Sequence, residues 1–228
     1  MKLAIIGYGK MGKMIASLAP EYGFTLHACV DVNDDFAKAA GADVAIEFTA
    51  PDAVVGNLEK LAAMKLPVVV GTTGWLKEMD RVQTAAAHHQ IGIVWSPNFS
   101  VGVNVFQRVV REAARLLAME AEYGAWAWEI HHDTKKDAPS GTMIKLVDEM
   151  KIGGYARPID VSSNRAGRHP GTHEIGFDSA ADTITLRHAA RSREGFARGA
   201  LKAAQWLTED PAGRQGVFEF SDVLFSKR

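Results

Sequence analysis

The chain has 228 residues, 47% hydrophobic and 23% charged, with 26 basic against 27 acidic side chains and a net charge of -1. That composition is of an ordinary globular protein, for which disorder is not the default, and leaves room for one large domain or two modest ones. Charges of both signs are mixed along the chain, so no basic field marks nucleic acid or a membrane surface as a partner, and a small molecule fits better.

The apolar run at the N-terminus is too short for a signal-peptide core, and no later run approaches a membrane span, which places the protein in the cytoplasm as an expectation. Residues 2–6 form that run, followed by Gly7-Tyr8-Gly9-Lys10-Met11-Gly12 and a helix-like segment over 13–19. The pattern is strand, tight turn, helix. A second strand over 25–30 ends at Asp31, and a third over 43–48 ends at Thr49-Ala50-Pro51, before a helix over 53–63. Within the second strand lies the single cysteine, Cys29, which has no disulfide partner and no histidine or lysine placed to activate it. It reads as a packed core thiol. Apolar strands over 67–70 and 91–95 flank an alanine-rich helix over 78–88. Strands alternating with helices in this way predict a parallel sheet covered on both faces.

After Asn98 the rhythm changes. A long amphipathic helix over 103–119 leads to a strand over 125–130, a polar segment with two histidines, and a helix over 141–150. Alternating strands over 172–177 and 183–188 and a helix over 196–207 follow. The turn over 210–215, with Pro211 and Gly213, returns the chain for a last strand and helix. The expected fold class is α/β: a Rossmann-like dinucleotide-binding domain over 1–103 and 214–228, and a smaller α+β substrate-binding domain with a mixed sheet over 104–213.

Gly7, Gly9 and Gly12 begin directly after a strand and run into a helix, which sets backbone N–H groups and a helix N-terminus against a pyrophosphate. An acid at the end of the next strand completes such a site by accepting hydrogen bonds from the adenosine ribose. Asp31 stands there, its other reading being a surface acid that caps the following helix. A carboxylate repels a 2′-phosphate, and neither Val32 nor Asn33 offsets it, so NADH is favoured over NADPH. Gly71-Thr72-Thr73-Gly74 and Ser96-Pro97-Asn98-Phe99 leave later strands at the same carboxyl edge, where open α/β sheets bind ligands.

The richest stretch for chemistry is 129–142. His131 and His132 are adjacent, and both face one cleft only if the strand stops there, which the polar run Asp133-Thr134-Lys135-Lys136-Asp137 provides. Histidine donates protons near neutral pH, and lysine holds positive charge against an anion. Ser140 is placed to cap a helix whose start, Gly141-Thr142, suits a carboxylate. A second pair, His88-His89, closes an alanine-rich helix and reads as structural. His173 and His188 sit in alternating strands, where packing is the more common outcome than a substrate role, and no zinc-ligand spacing accompanies the histidines, so no metal is expected.

Together these segments resemble the dihydrodipicolinate reductase (4-hydroxy-tetrahydrodipicolinate reductase) family over nearly the whole chain. The resemblance rests on the N-terminal glycine turn, Glu47-Phe48-Thr49 where the family more often has Asp-Phe-Thr, Gly71-Thr72-Thr73-Gly74, and Asn98-Phe99-Ser100-Val101-Gly102-Val103-Asn104. Its most specific part is 129–142, which follows the family's E-x-H-H-x-x-K-x-D-A-P-S-G-T pattern at every fixed position. The resemblance implies that His131 is the proton donor, Lys135 assists as donor and charge partner, His132 contacts substrate, and Gly141 with Thr142 bind a substrate carboxylate. For the cofactor it implies Gly7, Tyr8, Gly9, Lys10, Met11, Gly12, Asp31, Gly71, Thr72, Thr73, Ser96, Pro97, Asn98 and Phe99. It also implies hydride transfer to C4 of an unsaturated cyclic dicarboxylate after loss of the 4-hydroxyl as water, in the diaminopimelate route to lysine, and a homotetramer joined through the sheets of the substrate domain. The chain departs from NADPH-using relatives at Val32, which is not basic, and is short for the family. On the residues alone, a dehydrogenase of another imino or keto acid and a non-catalytic dinucleotide sensor remain as rival readings.

Overall fold

The computed structural model describes residues 1–225. In chain order its elements are β1 (Lys2–Ile6), α1 (Lys10–Leu18), β2 (Thr25–Val30), β3 (Val44–Glu47), α2 (Val54–Ala63), β4 (Val68–Val70), α3 (Met79–His89) and β5 (Gly92–Trp95). There follow α4 (Val101–Leu117), β6 (Gly124–His131), α5 (Gly141–Ile152), β7 (Ile159–Arg165), β8 (Thr172–Asp178), β9 (Thr183–Ala189), α6 (Glu194–Glu209), β10 (Gly216–Glu219) and α7 (Phe220–Phe225). They form two compact units, one from Met1–Ser100 with the segment from Glu194 onward, the other from Val101–Arg193.

The first unit is a six-stranded sheet in the order β10-β5-β4-β3-β1-β2, parallel at every pairing. Every residue of β3 and β4 is buried, the apolar ones because helices cover both faces and Glu47, at the end of β3, with hydrogen bonds from Thr49 and Asn57. One face sets Ile6, Val68, Val70 and Ile93 against Leu58 and Leu61 of α2 and Val82 of α3. The alternate residues Leu3, Ile5, Ile46, Val69 and Val94 meet Ile15 of α1 and Ala200, Leu201 and Ala204 of α6. Burying each large aliphatic side chain contributes about 1.5–3 kcal/mol. From β1 the chain goes to β2 on one side and returns to β3 on the other, so a crevice opens at the carboxyl ends of β1 and β3.

The placement of α6 differs from expectation. The predicted substrate domain ran over 104–213, whereas the second unit ends at Arg193 and α6 belongs to the first. Its small apolar face of Ala197, Ala200, Ala203 and Ala204 lets it lie close over β3, β4 and β5. The last three residues of the predicted 214–228 segment lie outside the described residues.

The second unit is a four-stranded mixed sheet, β7-β6-β8-β9, with β7 parallel to β6 and the other pairings antiparallel. Phe106 and Val110 of α4 and Met143, Leu146 and Met150 of α5 pack on Ala127, Ile175 and Phe177. The opposite face carries the half-buried Trp126 and Trp128. Trp126 occupies the space over Gly176, and Trp128 donates to Asn164 Oδ1 at 2.6 Å.

Candidate active site

In the first unit, the loops after β1, β3 and β4 enclose a cavity of about 440 Å³ lined by Gly9, Lys10, Met11, Phe48, Thr49, Pro51, Gly71, Thr72 and Thr73. Two glycines shape it. A Cβ on Gly7 would strike the Phe48 carbonyl, and one on Gly12 would strike the Gly7 carbonyl, so only glycine lets α1 start this close to the sheet. Gly9 is the N-cap of α1 with no side-chain cap, and the space beside it is open, so the helix start is presented to the cavity by backbone alone. Thr72 Oγ1 accepts the Thr49 N–H at 2.7 Å, and its carbonyl accepts from Trp75 Nε1 at 2.8 Å. That hydroxyl therefore ties two loops of the rim together. A strip of backbone donors, a helix start and a lysine fits the diphosphate of a dinucleotide.

Asp31 follows β2 and is exposed, its Oδ1 accepting the Val32 N–H at 3.0 Å. It caps no helix; that task falls to Asp35, which accepts from Ala37 N. Lys38, a cation on the next turn, is engaged by Asp34 at 2.6 Å. Tyr8 turns its side chain to Cys29, whose half-buried thiol is pushed up by burial against the pull of that hydrogen bond. Ser96 Oγ donates to the Asn98 carbonyl at 2.8 Å, which folds Ser96-Pro97-Asn98 into a compact turn. Phe99 is 2% exposed and stacks on Phe220 with ring centroids 5.0 Å apart, a core contact that leaves backbone for any ligand. The sequence reading missed Phe48, Thr49 and Pro51 as cavity residues. The signal was their position after β3, at the same carboxyl edge.

In the second unit, β6 ends at His131, and His132 begins a turn in which Lys135 N donates to the His132 carbonyl. Period two puts Ala127, Glu129 and His131 on the same sheet face, the one that α5 covers. Register then sets Ser163 on β7 and His173 on β8 to either side of Glu129, and Arg165 beside His131. The Glu129 carboxylate, fully buried, accepts the Ser140 N–H at 2.8 Å, the Ser140 hydroxyl, Ser163 Oγ at 2.9 Å and Arg165 Nη2 at 2.9 Å. His131 Nδ1 and His173 Nε2 each stand 3.5 Å from its other oxygen, with the two rings edge to face at 5.0 Å. Ser140 caps α5 through Met143 N, as expected. His132 Nδ1 contacts Thr134 Oγ1 at 2.7 Å, and Lys135 is clamped by both oxygens of Asp137 at 2.7 and 2.8 Å.

Burial alone would raise the Glu129 carboxyl, but hydrogen bonds from His173, Ser140 and Arg165 outweigh it and hold it well below the usual carboxylate range. His131 moves down to about 4, chiefly through burial, with the attraction of Glu129 opposing and the charges of His173, Lys135 and Arg165 adding to the fall. Its imidazole is neutral at pH 7.

The strand histidines divide. His188 packs beside Phe106, with burial lowering its affinity for protons. His173 is buried as well, yet what it packs on is Glu129, Ser140 and His131, so the cluster takes in a residue that the sequence reading had set aside. His88 and His89 stack edge to face at 4.7 Å in the last turn of α3, in keeping with a structural pair. Glu129, His131 and His173 lie close enough to suggest a cation site, but the carboxylate already accepts four hydrogen bonds, three on one oxygen from Ser140 N, Ser163 and Arg165 and one from the Ser140 hydroxyl on the oxygen that faces the histidines. The three read as a hydrogen-bonded cluster. No described helix is long and apolar enough to cross a membrane.

Residues 1–99 match the family described as dihydrodipicolinate reductase, N-terminus, and residues 102–224 match its C-terminus. A 4-hydroxy-tetrahydrodipicolinate reductase of Christiangramia forsetii is 32% identical over 98% of each chain. One from Anaeromyxobacter dehalogenans is 39% identical over 86% of this chain and 77% of that one. Among solved structures, a dipicolinate-bound dihydrodipicolinate reductase from a Paenisporosarcina species superposes with a TM-score of 0.78 at 19% identity, covering 96% of this chain and 97% of that one. At that identity the likeness speaks for the fold.

Proposed function

The chain belongs to the dihydrodipicolinate reductase family and is an NAD(P)H-dependent oxidoreductase, and we propose that it reduces 4-hydroxy-tetrahydrodipicolinate to tetrahydrodipicolinate on the diaminopimelate route to lysine. The observation that carries this reading is the gathering of a buried histidine, a lysine loop and a serine-capped helix start around one carboxylate. Those are the parts needed to hold a small dianion and give it a proton.

A nicotinamide held by the glycine turn of the first unit would supply the hydride for C4 of the ring, once the 4-hydroxyl had left as water. The residues of the chain do the rest. Gly141 and Thr142, in the first turn of α5, receive one substrate carboxylate on the helix N-terminus. Lys135 exchanges Asp137 for the negative charge of the substrate. His132, steadied by Thr134, lies on the turn between them. His131 is neutral before substrate arrives, so the proton that it delivers is taken up together with the dianion, whose charge favours the imidazolium.

NADH is the preferred cofactor in this reading, because Asp31 is exposed at the ribose position and the nearby Lys38 is committed to Asp34. Gly7 to Gly12, Gly71 to Thr73 and Ser96 to Phe99 complete its binding surface. The sheet face with Trp126, Trp128 and the Glu174–Arg187 pair at 2.7 Å joins subunits into a homotetramer, which equilibrium sedimentation checks. The lone cysteine and the nicotinamide cofactor accord with a cytoplasmic enzyme.

The deciding assay makes the substrate in place from pyruvate and aspartate semialdehyde with the preceding synthase, and follows NADH absorbance. Synthase-dependent NADH loss is expected; its absence, with the protein folded and NADH bound, overturns the reading.

A further inference from the structure

We propose that Glu129 and Arg165 form a positioning pair that ties the donor strand, the lysine loop and the helix start of the substrate half into one rigid assembly. The inference rests on the roles given above to His131, Lys135 and Gly141. Neither member of the pair is assigned to substrate.

An ionised carboxylate is almost never fully buried without strong compensation, since its desolvation costs several kcal/mol. Glu129 has that compensation, and the partners come from three directions: Ser140 at the start of α5, Ser163 and Arg165 on β7, and His173 on β8. Arg165 extends the network outward. The same Nη2 that meets Glu129 also donates to the Asp137 carbonyl, while Nη1 donates to the Asn164 carbonyl at 2.8 Å. Asp137 is in turn the residue that clamps Lys135. One ion pair therefore reaches His131 directly and, through Asp137 and Ser140, the lysine that faces the substrate and the start of α5.

Stability alone does not explain this design. Well-packed apolar residues of similar volume commonly serve a fold as well as a buried ion pair or better. What they lack is direction. A planar guanidinium with a fixed fork of donors holds a carboxylate and a carbonyl at set angles, which an ammonium on a flexible stem does not.

The test uses the full-length protein and three variants, Arg165→Lys, Glu129→Gln and the double Glu129→Gln/Arg165→Met. Arg165→Lys keeps the charge and loses the fork. It is expected to bind NADH within about twofold of the parent while kcat/KM falls at least about tenfold, most of it in kcat, as misplacement of reacting groups does. Amide hydrogen exchange at Lys135, Ser140 and Met143 should quicken at least about tenfold, with the amides of β3 unchanged. The double variant removes the buried carboxylate and its half-buried partner charge together, so its thermal midpoint should recover beyond that of Glu129→Gln while turnover stays low. Turnover that recovers along with stability would reduce the pair to a structural role, and unchanged exchange at those amides in Arg165→Lys would overturn the proposal outright. The exchange measurement does not depend on the reaction, so the proposal stands or falls separately from the synthase-coupled assay.

Discussion

The two units build their sites by opposite means. Around the cavity at the carboxyl ends of β1, β3 and β4, the start of α1 is presented by backbone, and close approach decides the residues: Gly7 and Gly12 are there because any Cβ would strike a carbonyl. In the second unit the site is made of charge, a buried carboxylate with its lone pairs filled by residues from α5 and β7. Sites of the first kind depend on shape and tolerate changes of charge. The second kind depends on charge and direction, so its failures should appear in turnover before they appear in cofactor binding.

The sharpest break lies in the second unit. His131→Ala or Lys135→Ala should lower turnover about 100-fold or more, the scale of a lost general acid, while NADH affinity by fluorescence titration stays close to the parent. Equal loss of both would erase the contrast. Gly12→Ala should do the reverse, costing about 1–3 kcal/mol of stability by overpacking and at least about tenfold in NADH affinity, with pyridine-2,6-dicarboxylate still bound by calorimetry.

Protonation provides a subtler probe. Because His131 sits at about 4 when free, binding of pyridine-2,6-dicarboxylate at pH 7 should draw nearly one proton from buffer. Calorimetry in buffers of different ionisation enthalpy measures it, and His131→Gln should abolish it. The same depression bears on stability. An unfolded chain binds a proton at histidine from about 6.5 downward, whereas the folded one waits until about 4, so the His131 contribution is intact above that window and is lost as pH falls through it. Glu129 adds a further loss at more acid pH, since its carboxyl is held low in the fold. A thermal midpoint that falls between pH 6.5 and 4, and falls less in His131→Gln, is the expected record. The smallest effect belongs to Asp31→Asn, which should shift the NADH to NADPH efficiency ratio roughly fivefold toward NADPH, the worth of one exposed charge at close range.

How much of this was legible in the residues follows the same division. The parallel sheet was, because β1, β3, β4 and β5 are short, mostly apolar runs set between helices. The glycine turn and the histidine segment were too, being local in sequence. By contrast β7 went unread. Its inward positions are Ile159, Val161, Ser163 and Arg165, so the alternation that marks a strand fades where the chain turns to serve Glu129. His173 was legible as a strand residue and illegible as a partner of Glu129, because only register across β6 and β8 sets them side by side. The placement of α6 failed for a related reason: an alanine-rich face announces close packing without naming the sheet it packs on.

That helix has a consequence for how the chain is made. Leu3, Ile5, Ile46, Val69 and Val94 all precede residue 100, but the α6 share of the layer that shields them, Ala197 to Leu207, leaves the ribosome almost a hundred residues after that point. The second unit, continuous from Val101 to Arg193, is complete before then and can fold as it emerges. The sheet of the first unit is therefore the last to close, and a product truncated anywhere before 194 leaves the part of that face covered by α6 open to water and to other chains.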